Sequence, residues 1–408
     1  MPGIRLLEGR DLRRGIELEG AEAFTKRLLG HLEKKELRPH DFSLRQLAEG
    51  YMGNEWVNNL RPKSGRWDGS AVLREADGSA VAYSQFSNIT GQIFFNAVKD
   101  AYEYDSADFP FSRVIPEKPT NILEMEKIPG ISHVGDEFSV ITEGADYPNF
   151  GVSEDYVEIA AKEKRGGVVD VTKEAVLGDR TGVLLDRCKG LGFWLKYNKE
   201  KRLVDMVIDE NGGAVSAASG GHRYHWKGTS YATYQTTTPY DNVTASNALV
   251  DWTDIEAAWL TLVAITDPYT GEPLMQMPTH LFVTPTLAAT AYYIMHSMEV
   301  AKHAGGYDAA NTVYETRGPS PLQGIAAGNL QIVTSQLMAA RAATDTTWYL
   351  GAPQKSFAYF SLWDVTPEEA PQGNEQQFRR DILHSFKVSE MGTAATLEPR
   401  FMNESTVA

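Results

Sequence analysis

An α+β chain with more than one subdomain is predicted, on three observations. Val157, Ile159 and Ala161 alternate with polar residues, as a half-buried strand does. A long amphipathic, highly charged segment follows from about residue 173. Beyond Asp251, short apolar runs and helical patterns take turns, as in HLFVTPTLAATAYYIM. At 408 residues the chain exceeds what a single core usually fills, so two or three subdomains are expected.

Taken in order, residues 1–60 read as two or three helices. Phe24, Leu28, Leu29 and Leu32 recur at helical spacing up to Arg38-Pro39. Ser43 is placed to cap a second helix carrying Leu44, Leu47, Tyr51 and Met52. Residues 61–90 read as loop and residues 91–108 as a short helix. Pro110, Pro116, Pro119 and Pro129 keep the next stretch extended. From Ile122 to Val171 the pattern is that of two long hairpin arms with an elaborate tip rich in Gly, Ser and Asp. A hairpin that long has too little core of its own and needs a neighbour to lie on.

Thr172 can cap the following turn, and Leu184, Leu191, Trp194, Leu195, Leu203, Val204 and Val207 form a broken apolar stripe. Lys189, Lys196, Lys199, Lys201 and Arg202 lie off it. Gly182, Gly190 and Gly192 predict a bend or a close contact in that helix. NGGAVSAASGG (211–221) reads as a hinge, and residues 222–246 as exposed loops or short strands. Asp251 or Thr253 is placed to cap a helix carrying Ile255, Ala258, Trp259 and Leu262. A buried strand, a Thr284-Pro285 turn and a helix from Thr286 follow; NLQIVTSQLM and TTWYLGAPQKSFAYFSLWDV read as strands.

Composition excludes several functions. With 39 basic against 54 acidic residues, the net charge of −15 argues against a surface built to grip DNA phosphates, although it suits the inner wall of a shell around DNA. The single Cys188 rules out an intrachain disulfide and any Cys-rich zinc site. No run of about 18 apolar residues predicts a membrane span. The first thirty residues lack a signal-peptide core, so a cytoplasmic protein is expected. His222, His225 and His280 are the best metal candidates, yet they have no nearby carboxylates or Cys in sequence, and exposed histidines are expected. The Gly-rich 211–221 stretch lacks the GK[ST] of a phosphate loop, and no GxSxG elbow surrounds Ser216 or Ser219. Glu368-Glu369 is expected in a solvated loop. No catalytic, cofactor or metal residue is assigned.

Four collinear passages carry a resemblance: Glu158–Leu177, Leu281–Ile294, Asn329–Val365 and Phe378–Met402. In that order they resemble the major capsid proteins of tailed bacteriophages, of the Hong Kong 97 fold. The resemblance covers roughly residues 120–402. It implies an N-terminal arm or scaffolding-like helical region (1–120) and an extended loop (121–172). It also implies a peripheral domain with a long spine helix (173–212 and 366–408) and an axial domain (213–365). The implied function is self-assembly through hexamers and pentamers into an icosahedral head enclosing double-stranded DNA, with no enzymatic activity. The implied partners are further copies of the chain, a portal, a scaffold or maturation protease, decoration proteins, and packaged DNA contacted non-specifically. The implied location is the virion, assembled in the host cytoplasm. An encapsulin-like nanocompartment shell is the alternative of the same fold.

Within that frame, inter-subunit contacts are expected from the loop residues Glu158, Lys162, Glu163, Lys164, Arg165, Gly166 and Gly167. On the spine, Lys196, Lys199 and Arg202 are expected to join them. The charged members would set register, while apolar contacts supply most of the free energy. Bulkier residues at Gly166-Gly167 are expected to impair assembly more than subunit folding.

Overall fold

The computed structural model of the chain describes residues 18–34, 46–47, 51, 78–103, 107–130, 140–143, 146, 155–172, 174, 181–237, 239–269, 271–274, 276–296, 299–307, 313–319, 330–369 and 382–407. Helices α1 (Ala21–Glu33) and α2 (Gly78–Glu103) precede the short α3 (Pro110–Val114). Strands β1 (Glu117–Pro119), β2 (Glu126–Pro129), β3 (Tyr156–Ile159) and β4 (Glu163–Thr172) lead to the longest helix, α4 (Thr181–Ile208). Five short strands follow: β5 (Tyr224–Trp226), β6 (Thr229–Tyr231), β7 (Thr236–Thr237), β8 (Tyr240–Asp241) and β9 (Val243–Thr244). Then come α5 (Trp252–Val263), β10 (His280–Val283), α6 (Pro285–His296), β11 (Glu299–Tyr307), β12 (Val313–Pro319) and β13 (Gln331–Thr334). The chain closes with α7 (Gln336–Arg341), β14 (Trp348–Gly351), α8 (Pro353–Ser356), β15 (Phe357–Glu369), β16 (Ile382–Thr396) and β17 (Met402–Ser405).

These elements form two compact units. The first comprises residues 1–104, 164–196 and 364–390, and the second residues 105–163, 197–363 and 391–408. The spine helix α4 passes from one to the other after Lys196. The closing segment 366–408, expected within one domain, divides after Glu390, and α2 belongs to the same unit as the first half of α4.

In the first unit, Ile89, Ile93, Phe94, Ala97 and Val98 of α2 fall at helical spacing and make one apolar stripe. They meet Leu185, Cys188 and Leu195 of α4, Val171 of β4, and Phe386 and Val388 of β16. The Phe94 and Phe386 rings lie 4.9 Å apart. The helix expected to start at residue 91 starts at Gly78, thirteen residues earlier. Burial pushes the Cys188 thiol up to about 12, which makes it an inert packed side chain.

The second unit is built on a five-stranded sheet in the order β13-β10-β14-β17-β9. Strand β10 runs parallel to β13 and antiparallel to β14. Both faces of this sheet are covered, which is why HLFV and WYLG are continuous apolar runs rather than alternating ones. Leu281, Val283, Trp348 and Leu350 pack under α5 and α6. Phe282, Tyr349 and Met402 on the opposite face pack with Leu203, Val204, Met206 and Val207 of α4. Helix α5 begins as its sequence predicts. The Asp251 carboxylate accepts the Thr253 amide at 2.8 Å, and Asp254 closes the reciprocal capping box.

The extended loop is anchored by a second sheet, in the order β2-β3-β5-β6. Strands β2 and β3 pair antiparallel from Glu126↔Ile159 to Pro129↔Tyr156. The long arms expected up to Val171 are therefore shorter at their described base. From Lys164 the returning chain leaves the hairpin, and β4 takes its place beside β16. The tip residues 131–139 and 147–154 lie outside the described residues, as does Ser43. A separate two-stranded sheet, β11–β12, pairs from Glu299↔Pro319 to Tyr307↔Val313.

Three further expectations are corrected. His222 and His225 are buried, not exposed: His225 lies on β5, and the His222 ring lies 3.4 Å from Asp209. Burial pushes the His225 pKa down, with Arg223 and His222 adding to it against the pull of Glu158. Glu368 and Glu369 end strand β15 rather than lying in a loop, and Glu368 is ion-paired with Lys387. The presumed hinge at 211–221 contains a 3₁₀ turn at Ala217–Ser219, with left-handed backbone at Asn211, Gly220 and Gly221.

Candidate assembly site

A shell subunit needs side chains that point away from its own core, and the expected contact residues divide on that criterion. Glu163 and Lys164 are exposed at the start of β4, while Arg165 and Lys196 are half-buried. These four are at least partly accessible to solvent. The contacts of the other six within their own unit are specific.

Lys162 is the clearest correction. Its side chain is fully buried, and Nζ donates to Glu126 Oε2 at 2.8 Å. Thr120 Oγ1 donates to the same oxygen at 2.9 Å. Burial works against the Glu126 carboxylate, but the Lys162 and Thr120 hydrogen bonds and the Lys162 charge outweigh it and hold its pKa below the ordinary value. Lys162 thus ties the two sides of the loop base together, and its amine is not presented to a neighbour. Glu158 pairs with Lys127 across the same hairpin at 3.4 Å, and Lys127 lies 4.3 Å from the Tyr156 ring centroid.

Lys199 and Arg202 converge on Tyr359. Lys199 Nζ sits 4.3 Å from that ring centroid and donates to Glu117 Oε2 at 2.6 Å. Arg202 Nη1 donates to the Tyr359 hydroxyl at 3.1 Å. The stripe drawn from residue 184 assumes one environment along the whole helix. Past Tyr197 the surroundings change: Lys199, Glu200 and every residue from Leu203 to Ile208 are buried. Trp194, placed on the buried stripe by its spacing, is instead 62% exposed, with Phe193 edge-on to it at 5.8 Å.

Gly166 and Gly167 are needed by the subunit itself. A Cβ on Gly166 would collide with the Val388 carbonyl and lie 3.0 Å from the Ser389 Cα. On Gly167 it would lie 2.7 Å from Leu191 Cδ1. Larger residues here strain the packing of β4 against β16 and α4. At Gly166, where the neighbour is backbone, the expectation that such changes impair assembly more than folding is therefore revised: the subunit itself is strained.

Sequence reasoning missed the exposed apolar residues. Val168 stands 61% exposed on β4; Ile122, Leu123 and Met125 are exposed just before and at the edge of β2. On α6, Tyr292 and Tyr293 are exposed at 61% and 72%. A readable signal existed for α6: PTLAATAYYIMH contains no charged residue in a chain where 23% of residues are charged.

Two carboxylates, that of buried Glu398 and that of half-buried Glu404, give the second unit a pH dependence. Burial raises Glu398 to about 7 although Arg400 lies 3.1 Å away, and burial raises Glu404 to about 7 against the Tyr349 hydrogen bond. Between the ordinary value of 4.5 and about 7, the folded chain holds protons that the unfolded chain releases. Their contribution to stability is thus complete at low pH and is lost as pH rises through that window. A Glu404→Gln variant, which mimics the protonated form, is expected to gain melting temperature on the wild type between about pH 5 and about pH 8. A difference that stays constant across that range contradicts the assignment.

Among the described residues, no three His, Cys, Asp or Glu side chains are grouped to hold a metal ion. No described helix is long and apolar enough to cross a membrane. No curated protein matches the chain by sequence. Solved structures similar to it include a virus-like particle from Pyrococcus furiosus (11% identity, 77% of this chain and 98% of that one, TM-score 0.41). The capsid of the cyanophage P-SCSP1u (13% identity, 72% and 86%, TM-score 0.41) is another. So is a chain of Mycobacterium phage Cain (13% identity, 73% and 89%, TM-score 0.42). A family model described as phage capsid protein matches residues 155–402, more than half of the chain. The chain therefore belongs to the phage capsid protein family: it is a structural shell protein rather than an enzyme, with an α+β fold that includes the long helix α4.

Proposed function

We propose that this chain is the major capsid protein of a tailed phage or prophage. It assembles through hexamers and pentamers into an icosahedral head around double-stranded DNA. The observation that carries the reading is the family match across residues 155–402, which includes α4, four strands of the five-stranded sheet, and β15 and β16. The net charge of −15 supports it, since a wall without a basic excess lets packaged DNA slide rather than bind. On this reading the first unit supplies the peripheral domain, and the second supplies the axial domain and the base of the extended loop. Each copy is held by several modest interfaces whose effects multiply. Further copies, a portal, a scaffold or maturation protease, and decoration proteins are the partners, in a particle built in the host cytoplasm.

An encapsulin-like nanocompartment has the same wall and a different content, so content is what to measure. Particles captured from their source cells with an antibody to the chain are treated with nuclease and then opened. Protected double-stranded DNA is the expected result. A particle that holds one folded enzyme and no DNA overturns the phage reading in favour of the nanocompartment.

A further inference from the structure

Helix α6 is anchored on one side only. Ala291, Ile294 and Met295 enter the core under the five-stranded sheet. The opposite side presents Ala289, Tyr292, Tyr293 and His296, with the His296 ring stacked 4.1 Å from that of Tyr292. Tyr and His have polar tips, so such a face is soluble in an isolated subunit. Aromatic residues with few rotatable bonds are also the type enriched in protein contacts, where charged residues are depleted. None of the twelve residues of α6 is Asp, Glu, Lys or Arg. Two copies that each carry −15 repel one another in general, and an uncharged face is where they approach at least cost.

Directly beyond His296, the chain enters β11. Strands β11 and β12, of nine and seven residues, form a sheet of their own and hydrogen-bond to no other described strand. A ribbon of nine residues reaches ~30 Å. Two strands alone are marginally stable in water, and each outer edge carries a row of backbone donors and acceptors that seeks a partner. The ribbon and the charge-free helix face are close in the chain; the face is exposed, and the ribbon pairs with no other described strand.

We propose that the outer face of α6 and the β11–β12 arm form one contact surface for a second copy of this chain. The inference rests on the shell reading above and assigns to it a surface that includes none of the ten residues expected from the sequence. Every copy carries the face and the arm once. A head-to-tail contact that joins them to different surfaces of the next copy gives a ring when its rotation closes, which is the case a capsomer requires.

The test uses the full chain and two variants. One is Tyr292→Glu with Tyr293→Glu, which puts charge on exposed positions. The other replaces residues 300–318 by a short Gly-Ser linker. Thermal melting reports folding, and mass photometry with negative-stain electron microscopy reports assembly. The expected result is a wild-type melting temperature in both variants, with the yield of capsomers and shells reduced at least about tenfold, which corresponds to ~1.4 kcal/mol at the contact. If the charged variant melts early, the linker variant decides by the same readout, because its excised strands pair with nothing else described. Variants that assemble at the wild-type yield overturn this inference and leave the shell reading intact. A wild-type chain that never assembles overturns both.

Discussion

Replacing Glu200 by alanine is expected to destabilise the subunit by about 2–3 kcal/mol, because it leaves backbone donors without the acceptor they have in the fold. Glu200 lies on the buried half of the spine helix with no exposed surface. Its carboxylate accepts the Phe111 amide at 2.7 Å, the Ser112 amide at 2.9 Å and the Ser112 hydroxyl. Helix α3 begins at Pro110 without a side-chain cap of its own, since its preceding residue is Phe109. A carboxylate from another helix therefore does what an N-cap residue would do, and it holds residues 110–114 in place ahead of β1. Alanine strands two amides, that of buried Phe111 and that of half-buried Ser112. Ser112→Ala removes only the hydroxyl and is expected to cost about 1 kcal/mol. Denaturant midpoints of the two variants check this. An alanine variant at 200 that loses no more than the one at 112 contradicts the capping role.

Two glycines on the same helix, two residues apart, are expected to respond with opposite signs. A Cβ on Gly190 meets nothing within 4 Å, so Gly190→Ala simply removes a flexible residue from a helix and stabilises by about 0.5–1 kcal/mol. A Cβ on Gly192 would lie 2.5 Å from the Val98 carbonyl oxygen of α2 and 3.2 Å from the Ala101 Cβ. Gly192→Ala must push the two helices apart and is expected to cost about 2 kcal/mol or more. Melting temperatures of both variants test the pair. Equal shifts would show that Gly192 is not the point of closest approach between α2 and α4.

The legible parts of the sequence were those governed by local rules. The Asp251 cap, the strand at His280–Val283, the proline that opens α6 and the strand at Trp348–Gly351 each depend on a few adjacent residues. Side chains whose fate depends on distant partners were not legible. Nothing near Lys162 in sequence announces Glu126, thirty-six residues earlier, and nothing near Lys199 announces Glu117. Read locally, a run such as KEKRGG is a solvated edge; in the fold its first lysine is an internal tie and its glycines are close-packing points. The stripe of α4 misplaced Trp194 because periodicity identifies a face but not what covers it. The β11–β12 ribbon escaped notice because EVAKHAGGY and VYETRGP offer no sustained apolar alternation. A strand that buries its face on another copy need not show the pattern of one that serves its own core.

The central claim is that this chain builds a shell from copies of itself. Cryo-electron microscopy of the purified full chain, with mass photometry beside it across a range of concentrations, tests that claim most directly. Closed shells, or rings of five and six subunits, with the spine helix recognisable in each subunit, are the predicted result. A 45.2 kDa monomer that persists at every concentration would contradict it.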